Sequence, residues 1–282
     1  MHTHTLFCDG RDDVETMCQT AFSKGLCAIG FSSHGPILRQ TGLKTGWHMP
    51  EERLDRYAEE VRAARRRWRG RLTVYLGLEV DYIKGMRSAL DSDIKALNPD
   101  YIIGSIHFIV PQNGAQPFTA DGPPEEFETG LREGFGGDKE ALLASYWDAM
   151  AQMIALGGFD ILGHADLYKN NCMDFSGTES ESRRAAEISR AAARAGIAVE
   201  VNTGGLNLNR TDETFPSSSV LSLFCQQKVP AIINADAHRS GDLDGNYDIA
   251  LQTLIKAGYA EHALFEGKEN GKAIWRGEKI SY

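Results

Sequence analysis

The sequence predicts an α/β protein, a single-domain seven-stranded (β/α) barrel related to the TIM barrel. Three observations lead there. Short runs rich in Ile, Val, Leu and Tyr alternate with amphipathic helical patterns, as parallel strands flanked by outer helices do. The length of 282 residues is nearly filled by one barrel of about 250 residues. Most of the histidines fall at the ends of the predicted strands, where such barrels carry their chemistry. An open doubly wound sheet is the architectural rival.

The first strand is a stub at residues 1–4, with only Met1 ahead of His2. A helix follows, because Val14, Met17, Cys18, Ala21 and Phe22 are spaced i, i+3, i+4, i+7, i+8 and form one apolar stripe. The next strand is read at 26–33. Residues 50–69 open with Pro and two Glu and close on Arg, matching the preferences of helix ends. Strands are read at 73–80 and 100–107. The stretch 109–137 is rich in Gly, Pro and Glu and is read as a long loop or lid, since loops of this length usually serve function. The alternation then resumes, with helices at 139–155, 179–195, 216–227 and 247–257 and strands at 159–164, 197–202 and 229–236. Each of these strands is a short apolar run of the kind buried on both faces.

Composition is that of a globular protein with a full core: 42% hydrophobic and 24% charged residues. The formal net charge of −9 argues against nonspecific nucleic-acid binding, which depends on Lys and Arg neutralising phosphates. It leaves room for an anionic substrate, because bound cations reverse the local field. No apolar h-region follows His2, and no run approaches a membrane span of about 20 apolar residues. Five scattered cysteines, Cys8, Cys18, Cys27, Cys172 and Cys225, form no CxxC pair and read as reduced thiols in a cytoplasmic protein.

Of eight histidines, six sit at or just past a strand end: His2, His4, His34, His107, His164 and His238. Glu79 and Asp236 share those positions. His2 and His4 are two apart, so an extended strand turns both imidazoles to one face, and Asp236 and His238 repeat that geometry. Imidazole with carboxylate suits Zn, Fe or Mn, and the lack of clustered thiolates excludes a structural zinc finger. With Asp9 there are nine candidate ligands. That is too many for one ion and enough for three, at three or four donors each, if a carboxylate such as Glu79 bridges two. His48 and His262 fall outside the pattern and read as a loop residue and a surface residue.

These residues resemble a known family. His2-x-His4-Thr5, Asp9-Gly10, His34-Gly35, Glu79, Ser105-Ile106-His107-Phe108, Gly163-His164-x-Asp166 and Asp236-x-His238 are similar to the motifs of the polymerase-and-histidinol-phosphatase (PHP) superfamily. The segment Glu200-Val201-Asn202-Thr203-Gly204-Gly205-Leu206 and the insertion after Phe108 resemble its histidinol-phosphatase branch. The resemblance implies a distorted (β/α)7 barrel with three divalent ions. It implies His2, His4, Glu79 and Asp236 for the first metal. Glu79, His107 and His164 would hold the second, and Asp9, His34 and His238 the third. Members of the branch often carry arginine near the phosphate. Here Lys169 and Arg210 stand as the candidate substrate contacts, and Lys keeps the charge without the bidentate fork.

The activity implied is removal of phosphate from a small phosphomonoester, L-histidinol phosphate, in histidine biosynthesis. Water activated by metal is the simplest nucleophile, since the chain has no GxSxG elbow and no GxxxxGK[ST] loop. Glu79, Asp236, His238 and Asp166 are the candidate catalytic residues, Asp166 as a proton donor to the leaving group. Other phosphoesterase activities within the superfamily, on phosphodiesters, nucleic acid or phosphotyrosine, are the enzymatic alternatives. A non-catalytic metal-binding scaffold is the non-enzymatic one. The run from Arg62 to Arg71 holds six arginines in ten residues and reads as a solvated, dipole-compensating helix end on the outer wall.

Overall fold

The structure is a computed structural model and describes residues 1–43 and 45–280. Its centre is a parallel sheet of β1 (Ala28–Phe31), β2 (Thr73–Asp81), β3 (Tyr101–Ser105), β6 (Ile161–Leu162), β7 (Ala198–Asn202) and β8 (Ala231–Asn234), joined in that order. Spatial order follows chain order without the reversal that defines a doubly wound sheet. The N-terminal stub supplies a seventh stave. Ser32 N–H donates to Thr3 O (2.9 Å) and His4 N–H to Ala237 O (2.9 Å), so residues 2–4 lie between the ends of β1 and β8. The fold is thus a distorted (β/α)7 TIM-like barrel.

Helices α1 (Val14–Ser23), α2 (Leu54–Arg67), α3 (Ser92–Leu97), α5 (Lys139–Leu156), α6 (Glu179–Ala195), α8 (Ser218–Gln226) and α9 (Tyr247–Ala257) supply most of the crossovers. Their ends are set by local chemistry. Asp13, Asp138, Thr178 and Ser217 each accept a backbone N–H of the first turn, and Gly136, Gly196 and Gly258 end helices in the left-handed region. The arginine run ends α2 as expected: Arg62 donates to Leu97 O, Arg65 pairs with Asp100, and Arg67 reaches Glu15 at 2.7 Å. None of the described helices is long and apolar enough to cross a membrane, and all five cysteines are free.

Two regions differ from expectation. Residues 109–137 are more than a loop. β4 (Phe108–Ile109) pairs antiparallel with β5 (Phe118–Thr119), and α4 (Pro124–Phe135) follows, with Pro at its start. Only Phe127 and Leu131 of α4 are buried, too few to show a helical period. A short α7 (Gly204–Asn207) follows β7. The second difference is a C-terminal hairpin, β9 (Glu261–Glu269) with β10 (Lys272–Lys279). Ala263 and Phe265 from it join Tyr101, Ile103, Ile161, Ala198 and Ile232 in a core separate from the helix–sheet core. Lys268 Nζ reaches Asp160, just before β6, at 2.8 Å. The hairpin therefore closes the barrel at the N-terminal ends of the strands and leaves the opposite rim to the site.

The strands are shorter than their apolar runs because their last residues leave the ladder. His164 N–H is satisfied by Glu200 Oε1 (2.8 Å) and His107 N–H by Asp81 Oδ1 (3.1 Å). Side chains replace ladder partners where the backbone bends to present ligands.

Candidate metal centre

All nine residues expected as ligands converge on the rim around Glu79, which is 1% exposed. Glu79 Oε2 lies 2.8 Å from His34 Nδ1, 3.1 Å from His2 Nε2 and 3.6 Å from His4 Nε2. Oε1 lies 2.9 Å from His164 Nε2 and 3.7 Å from His107 Nε2, and it accepts from Ser105 Oγ at 2.7 Å. Asp236 Oδ1 is 2.9 Å from His4 Nε2 and 3.4 Å from His2 Nε2. Asp9 lies 3.2 Å from His238 Nε2 and 3.9 Å from His34 Nε2. Asp236 adopts a left-handed backbone with φ of 50°, an uncommon state for a non-glycine residue that is concentrated at functional sites.

The donor set fits divalent metal ions on a specific observation. Six of its buried atoms lack a hydrogen-bond partner: His2 Nε2, His4 Nε2, His34 Nδ1, Glu79 Oε2, His164 Nδ1 and Asp236 Oδ1. Buried polar atoms are rarely left so, and five of the six crowd within 3.6 Å of one another as nitrogen–carboxylate pairs. A cation is the partner such a set lacks. Three groups of these side chains can each bring ligand atoms within 4.8 Å of one another: His4, Asp9, His34 and His238; His2, His4 and Glu79; His34, Glu79 and His107.

Outer partners aim the rings. His2 Nδ1 lies 2.9 Å from Glu200 Oε2, His107 Nδ1 2.9 Å from Asp81 Oδ1, and His238 Nδ1 2.9 Å from the Asp236 carbonyl. These oxygens only accept, so each Nδ1 carries the proton and each Nε2 faces the cluster. Burial alone would raise the Glu79 carboxyl. The surrounding His34, His2 and His107, with the hydrogen bond from His164, hold it well below the usual carboxylate range. Burial, helped by His4, pushes the His34 imidazole down to about 3 despite Glu79, whereas against burial the acidic groups around them push His2 and His4 up and His107 up to about 10; ligation requires the neutral form of each.

Asp166, Lys169 and Arg210 pair, among the described residues, with groups other than these ligands. Asp166 is fully buried, and its Oδ2 accepts from Ser217 N–H (2.9 Å) and lies 2.9 Å from Lys169 Nζ. Lys169 is 1% exposed, pairs also with Glu213 at 2.8 Å, and sits 5.3 Å over the Phe215 ring. Burial opposes its charge, but the two carboxylates keep its pKa above the usual lysine value. Arg210 is half-exposed, with Nη1 4.0 Å from Asp121.

His48 is not the plain loop residue expected. Its Nε2 meets Asp81 Oδ2 at 2.7 Å, completing a His48–Asp81–His107 chain. Trp47 packs edge-on against His34 and His107, with centroids at 4.6 and 5.0 Å. His262 instead faces Glu278 on the C-terminal hairpin. Asp81 and Asn234 carry no motif of their own in the sequence, and Glu200 and Asn202 enter it only within the segment that resembles the histidinol-phosphatase branch, with no site role. The signal was there in part. Glu79 and Asp81, and likewise Glu200 and Asn202, are two apart on a strand and so share a face.

Comparison with known proteins agrees with this geometry. Residues 1–204 match the family described as PHP domain. A "Probable histidinol-phosphatase" of Deinococcus radiodurans is 28% identical over 258 residues, covering 91% of this chain and 92% of the relative. A histidinol-phosphatase of Bacillus subtilis is 26% identical over 265 residues, covering 89% and 97%. A crystal structure of histidinol phosphate phosphatase from Lactococcus lactis, complexed with Zn, L-histidinol and phosphate, superposes with a TM-score of 0.64. It is 19% identical and covers 97% of each chain, so the likeness is one of fold.

Proposed function

This chain belongs to the PHP domain family, and we propose that it is a metal-dependent phosphomonoesterase that hydrolyses L-histidinol phosphate to L-histidinol and phosphate. The observation that carries the chemistry is the set of orphaned donor atoms around Glu79. The names of the two relatives matched along most of the chain, and the ligands of the Lactococcus lactis structure, support the substrate and its place in histidine biosynthesis.

Three divalent ions suit the donor count. His2, His4, Glu79 and Asp236 would hold one, Glu79, His107 and His164 a second, and Asp9, His34 and His238 a third. When bound, such ions lower the pKa of water towards neutrality and neutralise charge on the phosphoryl oxygens. Zn, Fe and Mn all suit this imidazole–carboxylate set. The chain's own residues do the rest. Glu79 spans both halves of the cluster and fixes their spacing. Asp236, held in its left-handed backbone, sets the distance between His4 and His238. Phosphoryl transfer asks for positioning and charge neutralisation more than for covalent help. Lys169 and Arg210 are proposed to supply positive charge beside the phosphate. Asp166 faces Lys169 and Ser217, a geometry that supports holding Lys169 in place rather than delivering a proton to the leaving alkoxide.

The reading as a nucleic-acid phosphodiesterase is not favoured, because Arg62, Arg65 and Arg67 of α2 are paired on the outer wall. The test is phosphate release from L-histidinol phosphate beside a panel of phosphomonoesters, a dinucleotide and a phosphotyrosine peptide. The expected result is kcat/KM within about 10⁴–10⁸ M⁻¹s⁻¹ for L-histidinol phosphate alone. Turnover confined to the other esters would overturn the substrate.

A further inference from the structure

Glu200 is fully buried on β7, directly behind the cluster. Each of its oxygens accepts two N–H groups. Oε2 takes His2 Nδ1 (2.9 Å) and Asn234 Nδ2 (2.8 Å); Oε1 takes the His164 N–H (2.8 Å) and Asn202 Nδ2 (2.8 Å). Four donors saturate the carboxylate, so no lone pair is left for a ligand's task. Among the described residues no lysine or arginine balances it, and its ion-pair partner is His2. A buried carboxylate without a cation is costly. This one makes sense if its charge is spent through His2.

The network reaches a second ligand. Asn202 Oδ1 accepts the Gly204 N–H at 2.7 Å, which fixes the orientation of that amide. Its two amide hydrogens then go to Glu200 Oε1 and to Asp236 Oδ2, the latter at 3.1 Å. Asp236 is thereby left with Oδ1 free towards His4 and His2.

We infer that Glu200 is a positioning residue of the metal centre. Directly through His2, and through Asn202 to Asp236, it aims two ligands of one ion, and it sets the His2 tautomer so that Nε2 faces the metal. It touches neither substrate nor ion. The inference rests on the metal centre proposed above. Outer partners of ligating histidines typically contribute 10–100-fold to metal affinity, and Glu200 serves a carboxylate ligand as well.

The experiment measures zinc affinity by competition with a chelator, in the wild type and in Glu200→Gln, alongside melting of each metal-free protein. Glutamine keeps the shape but puts an NH2 group where two donors already point. The expected result is zinc affinity weakened by about 10–100-fold in a variant that still folds. A wild type that binds zinc and a variant that binds it equally tightly would overturn the role of Glu200 while leaving the metal centre standing. A lower melting temperature with unchanged affinity would reduce Glu200 to a structural residue. A wild type that binds no zinc would overturn the metal centre and this role together. If the variant does not fold, the imidazole ¹⁵N–¹H spectrum of the zinc-loaded wild type decides. His2 protonated at Nδ1 supports the role, and His2 protonated at Nε2 refutes it.

Discussion

Glu79 has imidazole nitrogens from five histidines within 3.7 Å of its two oxygens. Among the described residues it is the carboxylate shared by two of the three donor groups, and an amide there brings two hydrogens where metal ions need lone pairs. Glu79→Gln should therefore cut kcat/KM by more than about 100-fold, the upper end of what losing a mere outer partner costs. Metal content should fall with it while the circular dichroism spectrum is kept. Near-wild-type turnover would remove Glu79 from the centre. Lys169 presents a different balance. Its ammonium pairs with the buried Asp166 and with Glu213, and breaking a buried pair from one side costs about 3–5 kcal/mol. Lys169→Ala should lower the melting temperature and raise KM for the phosphate ester together. A stability loss with unchanged KM would make Lys169 purely structural.

At the scale of elements, the barrel interior is fitted around Tyr101. A Cβ at Gly77 on β2 would stand 2.4 Å from the Tyr101 ring, in a strand whose partner register is fixed by five parallel pairs. Overpacking of this kind costs about 1–3 kcal/mol, so Gly77→Ala should lower the unfolding free energy read from urea titration by that amount. Gly241→Ala, with nothing within 4 Å, should stay within about 0.5 kcal/mol of the wild type. Equal stability of the two would contradict the packing described for β2 and β3. The same elements show what could be read in advance. β2, β3 and β8 are buried apolar runs that carry a ligand or end just before one, so both strand and site were legible, whereas β7 was legible as a strand alone. The C-terminal hairpin was not. Its buried face is carried mainly by Ala263, Phe265, Ala273 and Trp275, a period of two hidden among Glu, Lys and Arg. Glu200 escaped for another reason. In sequence, a carboxylate that orients a ligand looks like one that is a ligand, and only the four donors around it tell them apart.

For the molecule as a whole, the two ends of the barrel have separate duties. The β9–β10 hairpin seals the N-terminal end with Phe265 against Tyr101 and Tyr75. The opposite rim gathers six histidines and three carboxylates from the stub, the loops and five strand ends. A chain of net charge −9 that concentrates carboxylates there can receive a phosphate ester only if cations offset them. The central claim is therefore that metal ions occupy this rim. The most direct measurement is anomalous diffraction from crystals grown with zinc, recorded on both sides of the zinc edge. The account predicts three peaks enclosed by the nine side chains, each about 2.0–2.2 Å from imidazole nitrogen or carboxylate oxygen, with Glu79 touching two of them. A rim without anomalous density, in protein that hydrolyses L-histidinol phosphate, would contradict it.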